Sequence, residues 1–167
     1  MIKAICSKKE LSENSYYEHI RDIIESDEFI KLKDITHHRV TTRYQHCINV
    51  SYHNYVICRK LGFDAVSAAR AGLLHDLFYY NRKEYNKSHK VLSHSRFHSL
   101  VALDNALKLT EINDRERDII ENHMWPATKQ RPKYKESYII VVVDKYCAIL
   151  EVCLPKLKKL MQMCKRG

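Results

Sequence analysis

The sequence predicts an all-α protein folded as a single domain over residues 1–167, and three observations carry that prediction. Only three Gly and three Pro occur in 167 residues, too few for the many tight turns of an all-β design. Apolar residues recur at helical rather than alternating spacing along most of the chain. Helix-starting and helix-stopping residues punctuate the apolar segments. The length and the 45% apolar fraction suit one hydrophobic core.

The elements follow in order. A first helix is predicted over about residues 12–31, where Tyr16, Ile20, Ile23 and Ile24 share a face. DITHHRVTT reads as a loop. Thr41 or Thr42 can cap the next helix, which turns Tyr44, Ile48, Tyr55 and Leu61 inward and stops at Gly62. Asp64 caps a third helix, AVSAARAGLLHDLF, which is apolar on most faces and therefore central. Residues 79–93 are polar and basic and read as a long loop. A helix over about 95–109 follows, then a short one capped by Asn113 or Asp114 and ending near residue 122. HMWPATKQRPKYKES, with its two prolines, reads as a loop. The last long helix, about 136–154, carries YIIVVVDKYCAIL; its length favours a buried helix over the strand its β-branched run suggests. Pro155 is expected to interrupt it. A basic amphipathic tail, 156–167, comes next, with Leu157, Leu160, Met161 and Cys164 on the side that packs on the domain or on a partner subunit. The domain core spans about 35–155.

The formal net charge of +9 suggests an anionic partner such as a nucleotide or another phosphate ester. Nucleic acid is a weaker alternative, gripped through the basic tail, and a homodimer is a further expectation. Basic residues cluster at Arg82, Lys83, Lys87, Lys90 and Arg96, and again at Lys129, Arg131, Lys133 and Lys135. Loops 82–96 and 129–135 flank the candidate site residues in sequence and are the better places to steer an anion. The start, MIKAICSKKE, turns charged too soon for a signal peptide, and no apolar run approaches the roughly 20 residues that span a bilayer. The six Cys form no CxxC pair and read as reduced thiols, mostly small core residues. A cytoplasmic protein without a membrane partner is expected.

Ten His are present, and the position of several is informative. His75 and Asp76 lie inside the apolar run AGLLHDLFYY, and Asp144 interrupts IIVVV and KYCAIL. A carboxylate in such a place needs an ion partner or a bound metal. His46 falls near the start of a helix, His98 early in another, and His123 where a helix gives way to a loop. A helical bundle can bring these segments to one centre, where imidazole nitrogens and carboxylate oxygens suit Fe, Mn, Zn, Ni or Co, whose charge keeps Asp76 and Asp144 ionised. HExxH, GxSxG, the phosphate-loop pattern and the Rossmann glycines are all absent, which excludes zincin protease, serine hydrolase and nucleotide-fold chemistry of those kinds.

The order His46, His75–Asp76, Asp144 resembles the H…HD…D signature of the HD-domain metal-dependent phosphohydrolases. RYQHCINVSYHNYVICRKLGFD is similar to that family's first ligand helix and AARAGLLHDL to its HD helix. FHSLVALDNAL, DIIENHMWP and VVVDKYCAIL are similar to its later segments, so the likeness covers roughly residues 35–155. It implies an all-α HD-domain bundle of about six to seven helices, with His46, His75, Asp76 and Asp144 as ligands of a divalent metal. His98 and His123 match the two extra histidines of the dinuclear branch, in which Asp76 bridges two ions. The activity implied is hydrolysis of a phosphate ester or anhydride, such as a nucleotide or dinucleotide, by a metal-activated hydroxide. Asp76 is the central catalytic residue of that reading. His94, four residues before His98, can relay a proton to the leaving group, and Lys145, Arg82 and Arg43 can hold phosphate. The chain departs from some branches: it has no GYP motif, and Tyr79 stands where a Lys recurs three positions after the HD aspartate. Mixed-valent di-iron oxygenases share the same ligand set, and a non-catalytic basic binding module is the other alternative.

Overall fold

The computed structural model describes residues 2–7, 10–12, 15–37, 40–80, 85 and 92–164, apart from the side chains of 158–160 and 164. Among these residues the chain is all-α, with one two-stranded ribbon. The helices are α1 Ser15–Glu18, α2 Arg21–Ile24, α3 Asp27–Ile30, α4 Arg43–Leu61, α5 Ala65–Leu74, α6 His94–Leu109, α7 Asp114–Asn122 and α8 Lys135–Cys164; β1 is Thr36–His37 and β2 Thr41–Thr42.

The single helix expected over 12–31 is instead three one-turn helices followed by a 3₁₀ turn, Lys31–Asp34. Local side-chain bonds break it. Ser26 donates to Ile23 O at 2.7 Å and accepts from Phe29 N at 3.2 Å, so it ends one turn and caps the next. The apolar face still works as read: Tyr16, Ile20, Ile23 and Ile24 are buried in the core. DITHHRVTT is more ordered than a loop. Thr36 pairs with Thr42 and His37 with Thr41, and Arg43 N donates to Ile35 O at 2.8 Å to close the ribbon.

Thr42 caps α4 by accepting from Gln45 N, and Gly62 ends it at φ 70°, the left-handed conformation a C-terminal glycine adopts at least strain. Leu61, expected inward, is 53% exposed because it is the last helical residue. Asp64 caps α5 through Ser67 N. Helices α4 and α5 pack closely at Gly72, where a Cβ would stand 2.6 Å from Ser51 Cα. Tyr16 OH donates to Ser51 Oγ at 2.7 Å, and Ser51 Oγ donates to Ala69 O at 2.6 Å, tying the N-terminal segment to both helices.

The central helix is shorter than expected. It ends at Leu74, and His75 and Asp76 sit in the turn beyond it. The His75 ring takes Gly72 O at 2.9 Å, the carbonyl that the Asp76 N–H would use to extend the helix. Asn113 caps α7 in a full capping box with Glu116. Helix α8 runs through Pro155 rather than stopping there; a proline removes one helical N–H, and the turns on either side continue without it. On the apolar side of the tail, Leu157 and Met161 are 53% and 55% exposed, and the side chains of Leu160 and Cys164 lie outside the described residues. No helix among the described residues is long and apolar enough to cross a membrane. Of the described cysteines, Cys47, Cys58 and Cys147 are buried, Cys6 and Cys153 are exposed, and all five are free.

Candidate metal centre

Four helices and one turn bring the predicted residues together: Asp76, His98, His123 and Asp144 line a cavity of about 410 Å³, and His46 and His75 lie behind them, near Asp144. His46 comes from the first turn of α4, His75 and Asp76 from the turn after α5, His98 from α6, His123 from the C-cap of α7 and Asp144 from the middle of α8. His46, His75, Asp76, His98 and His123 are all buried.

The four imidazoles share one orientation. His75 Nδ1 lies 2.9 Å from Gly72 O, His98 Nδ1 2.8 Å from His94 O, and His123 Nδ1 2.8 Å from Ile120 O. A carbonyl oxygen only accepts, so each Nδ1 carries the proton and each Nε2 turns a lone pair inward. His46 Nδ1 meets both oxygens of Glu151 at 3.1 Å, which fixes it the same way. The helix geometry explains the pattern: a histidine one turn after a backbone carbonyl can bond back to it, as Nδ1 of His98 does to residue 94.

The Nε2 atoms face acidic partners and one another. His46 Nε2 is 3.0 Å from Asp144 Oδ1, and His75 Nε2 is 3.8 Å from the same oxygen. Asp76 Oδ1 is 3.5 Å from His98 Nε2 and 3.8 Å from His123 Nε2. His98 and His123 bring their Nε2 atoms to 2.9 Å. Two inward lone pairs at that distance repel unless a cation lies between them. Two nitrogens each ~2.1 Å from one ion and at a right angle lie ~3 Å apart. His75 Nε2 is buried and has no hydrogen-bond partner among the described residues, a poor arrangement for a core histidine and an ordinary one for a ligand. Three overlapping groups have ligand atoms within 4.8 Å of one another: His46–His75–Asp144, His75–Asp76–His123 and His37–His46–Asp76. The donor set therefore fits a divalent metal.

The electrostatics agree. Burial acts to raise the Asp76 carboxyl, but His75, His98, His123 and His37 hold it well below the usual range. Asp144 is likewise held well below that range, against its burial, by the hydrogen bond from His46 and the neighbouring His75 ring. Burial acts to lower His46, but Asp144 and Glu151 push it up to about 10, so without a cation its Nε2 carries a proton, which a bound metal would displace. Burial and the neighbouring His75 and His98 push His123 down to about 3, so it stays neutral with its lone pair available. Both acids thus remain anions at neutral pH, the form a cation requires.

The other predicted residues sort differently. His94 lines the same cavity, with its ring stacked on His98 at 5.0 Å. Lys145 stands exposed at the rim, its Nζ resting on Val141 O at 3.0 Å. Arg43 is buried rather than extended toward solvent: Nη1 donates to Phe78 O and the guanidinium lies 3.5 Å above the Phe78 ring. Its first task is to pin the chain just after Asp76. Arg82 and most of the basic segment 82–90 lie outside the described residues. Arg96, from the same cluster, is paired with Glu121 at 2.6 Å. Lys129, Arg131, Lys133 and Lys135 are exposed to solvent.

Two residues were not among those read from the sequence. Glu151 clamps His46 and is itself held by Asn49 Nδ2 at 2.7 Å. Its signal is its spacing: seven residues after Asp144, it lies two turns along the same face of α8. His37, on β1, stacks on His46 with ring centroids 4.1 Å apart and lines the cavity. The pair His37–His38 in a polar segment just ahead of α4 was the available hint.

A helical bundle that converges imidazoles and carboxylates on one buried centre belongs to the class of all-α proteins built to hold metal ions. Within that class, the HD domain family model matches residues 43–149, and the chain belongs to the HD-domain family, whose members are in general metal-dependent phosphohydrolases. No curated protein and no solved structure matches the chain.

Proposed function

We propose that the protein hydrolyses a small phosphate ester or anhydride, a nucleotide being the favoured kind, with His46, His75, Asp76, His98, His123 and Asp144 holding two divalent ions. The observation that carries this reading is the inward Nε2 set with Asp76 and Asp144 at its centre. When bound, such ions polarise phosphoryl oxygens and lower the pKa of water. The chain's own residues supply the rest. Asp76 stays ionised and oriented between the two histidine groups. Phe78, held by Arg43, walls the cavity on one side. His94 stands at the edge of the cavity, where its ring can hold a proton near a departing oxygen. Lys145 can leave Val141 O to meet a phosphate at the rim. A cavity of about 410 Å³ lies toward the lower end for small-molecule sites, which favours a compact substrate over a nucleic acid strand.

The test is turnover by metal-loaded protein across nucleotides, dinucleotides and phosphomonoesters, with oxygen uptake followed in parallel. Phosphate release that is lost together with bound metal in Asp76→Ala is the expected result. Oxygen-dependent turnover without phosphate release, or an active and metal-replete Asp76→Ala, overturns the proposal.

A further inference from the structure

We propose that His37 is a substrate-binding residue, donating a ring N–H to an oxygen of the phosphoryl group, and that it is not a metal ligand; this rests on the phosphohydrolase reading above. Its position is built by the ribbon. The β1–β2 pairing sets His37 opposite Thr41, and Arg43 N to Ile35 O closes the strands against the start of α4. The histidine is thereby laid over His46, three residues beyond that closing bond.

The ring geometry separates the two roles. An imidazole lone pair lies in the plane of its ring. The His37 and His46 rings are stacked at 4.1 Å with 25° between their planes. The two rings thus lie face to face, and their in-plane lone-pair directions run side by side instead of meeting at one point at the ~2.1 Å bond length an ion requires. One ion cannot take the lone pairs of both rings. A His37 nitrogen nevertheless comes within 4.8 Å of ligand atoms of His46 and Asp76. The His37 ring also lines the cavity. A ring nitrogen that faces the cavity and cannot share the ion of His46 is placed to meet an oxygen of a bound anion instead. The chemistry it suits is a tetrahedral oxyanion, with Lys145 at the rim of the same cavity as a second donor.

The experiment uses the full chain loaded with Mn²⁺ and inorganic phosphate as the probe. Wild type, His37→Ala and His37→Gln are compared for metal content by elemental analysis, for phosphate affinity by calorimetry, and for thermal melting. His37→Ala is expected to keep its full metal content and to bind phosphate about tenfold more weakly, as loss of a hydrogen bond to a charged group does. His37→Gln, which retains an N–H donor, is expected to recover most of the affinity. Unchanged phosphate affinity in a folded His37→Ala overturns the inference, and so does loss of metal from it, which would make His37 a ligand. Failure of wild type to bind phosphate at all strikes the hydrolase reading itself and takes this inference with it.

Discussion

Glu151 shows how much of the centre depends on a residue that is one step removed from it. Its carboxylate fixes the His46 ring through Nδ1, and Asn49 holds the carboxylate while accepting from Ile5 N at 2.9 Å and Gln45 Nε2 at 2.9 Å. Such partners set both the orientation and the basicity of a ligating imidazole. Glu151→Gln keeps the shape but removes the charge and one acceptor. It is expected to weaken divalent-metal affinity about 10–100-fold, with the fold intact by circular dichroism; titration against a fluorescent chelator measures the change. Asp118 is the corresponding residue away from the centre. Its buried carboxylate accepts from Lys133 N at 2.9 Å, Ser137 Oγ at 2.6 Å and Asn122 Nδ2 at 2.9 Å, holding the segment after His123 against the start of α8. Asp118→Ala leaves those donors unmatched and should destabilise the protein by about 2–3 kcal/mol in denaturant unfolding.

At the scale of elements, the contact between α4 and α5 sets the spacing of His46 and His75. Gly72 allows it, because a Cβ there would collide with the Ser51 backbone at 2.6 Å and stand 3.1 Å from its nitrogen. Backbone cannot swing aside as a side chain can. Gly72→Ala should therefore force the helices apart and cost about 1–3 kcal/mol, with a larger relative loss of metal affinity than of stability; melting and metal titration on one preparation separate the two. A second element-scale contribution lies between α5, α7 and α8. Glu136, at the start of α8, accepts from Asp64 N at 2.8 Å and from Arg115 at 2.6 Å. Burial acts to raise its carboxyl, but these donors outweigh burial and hold it below the usual range. A depressed folded pKa adds stability above the unfolded value near ~4.3, and that stability is lost as pH falls through the folded value. Glu136→Gln should accordingly destabilise at pH 7 and make less difference near pH 3, measured as the pH dependence of the unfolding midpoint.

Across the whole molecule, the proposed metal binding would be coupled to folding. The candidate ligands come from five separate segments spanning His46 to Asp144, so the unfolded chain cannot assemble them. Metal at about 100 times its dissociation constant adds about 2.7 kcal/mol, a rise of roughly 5–10 °C in Tm for a chain of this size. A chelator should reverse the rise, and Asp76→Ala should abolish it; calorimetric scans with and without metal test both.

Much of this organisation is legible in the sequence because it is local. Caps at Thr42, Asp64 and Asn113, the stop at Gly62 and the apolar faces depend on neighbours a turn away, and the structure has them where the spacing puts them. The candidate ligands stand out because a carboxylate in an apolar run, as at Asp76 and Asp144, has no cheap alternative to a cation. Where reading fell short, longer-range or competing bonds decided. Ser26 broke a helix that its apolar face favoured, the His75 ring took the carbonyl that would have carried α5 onward, and α8 continued through Pro155. The sequence by itself determined an all-α bundle and singled out six side chains as candidate metal ligands. Only the tertiary structure decided that four imidazoles turn Nε2 inward, that Glu151 clamps His46, and that His37 is stacked beside the centre. Those facts depend on which carbonyl or ring lies opposite each nitrogen, and that is set by helix packing rather than by spacing along the chain.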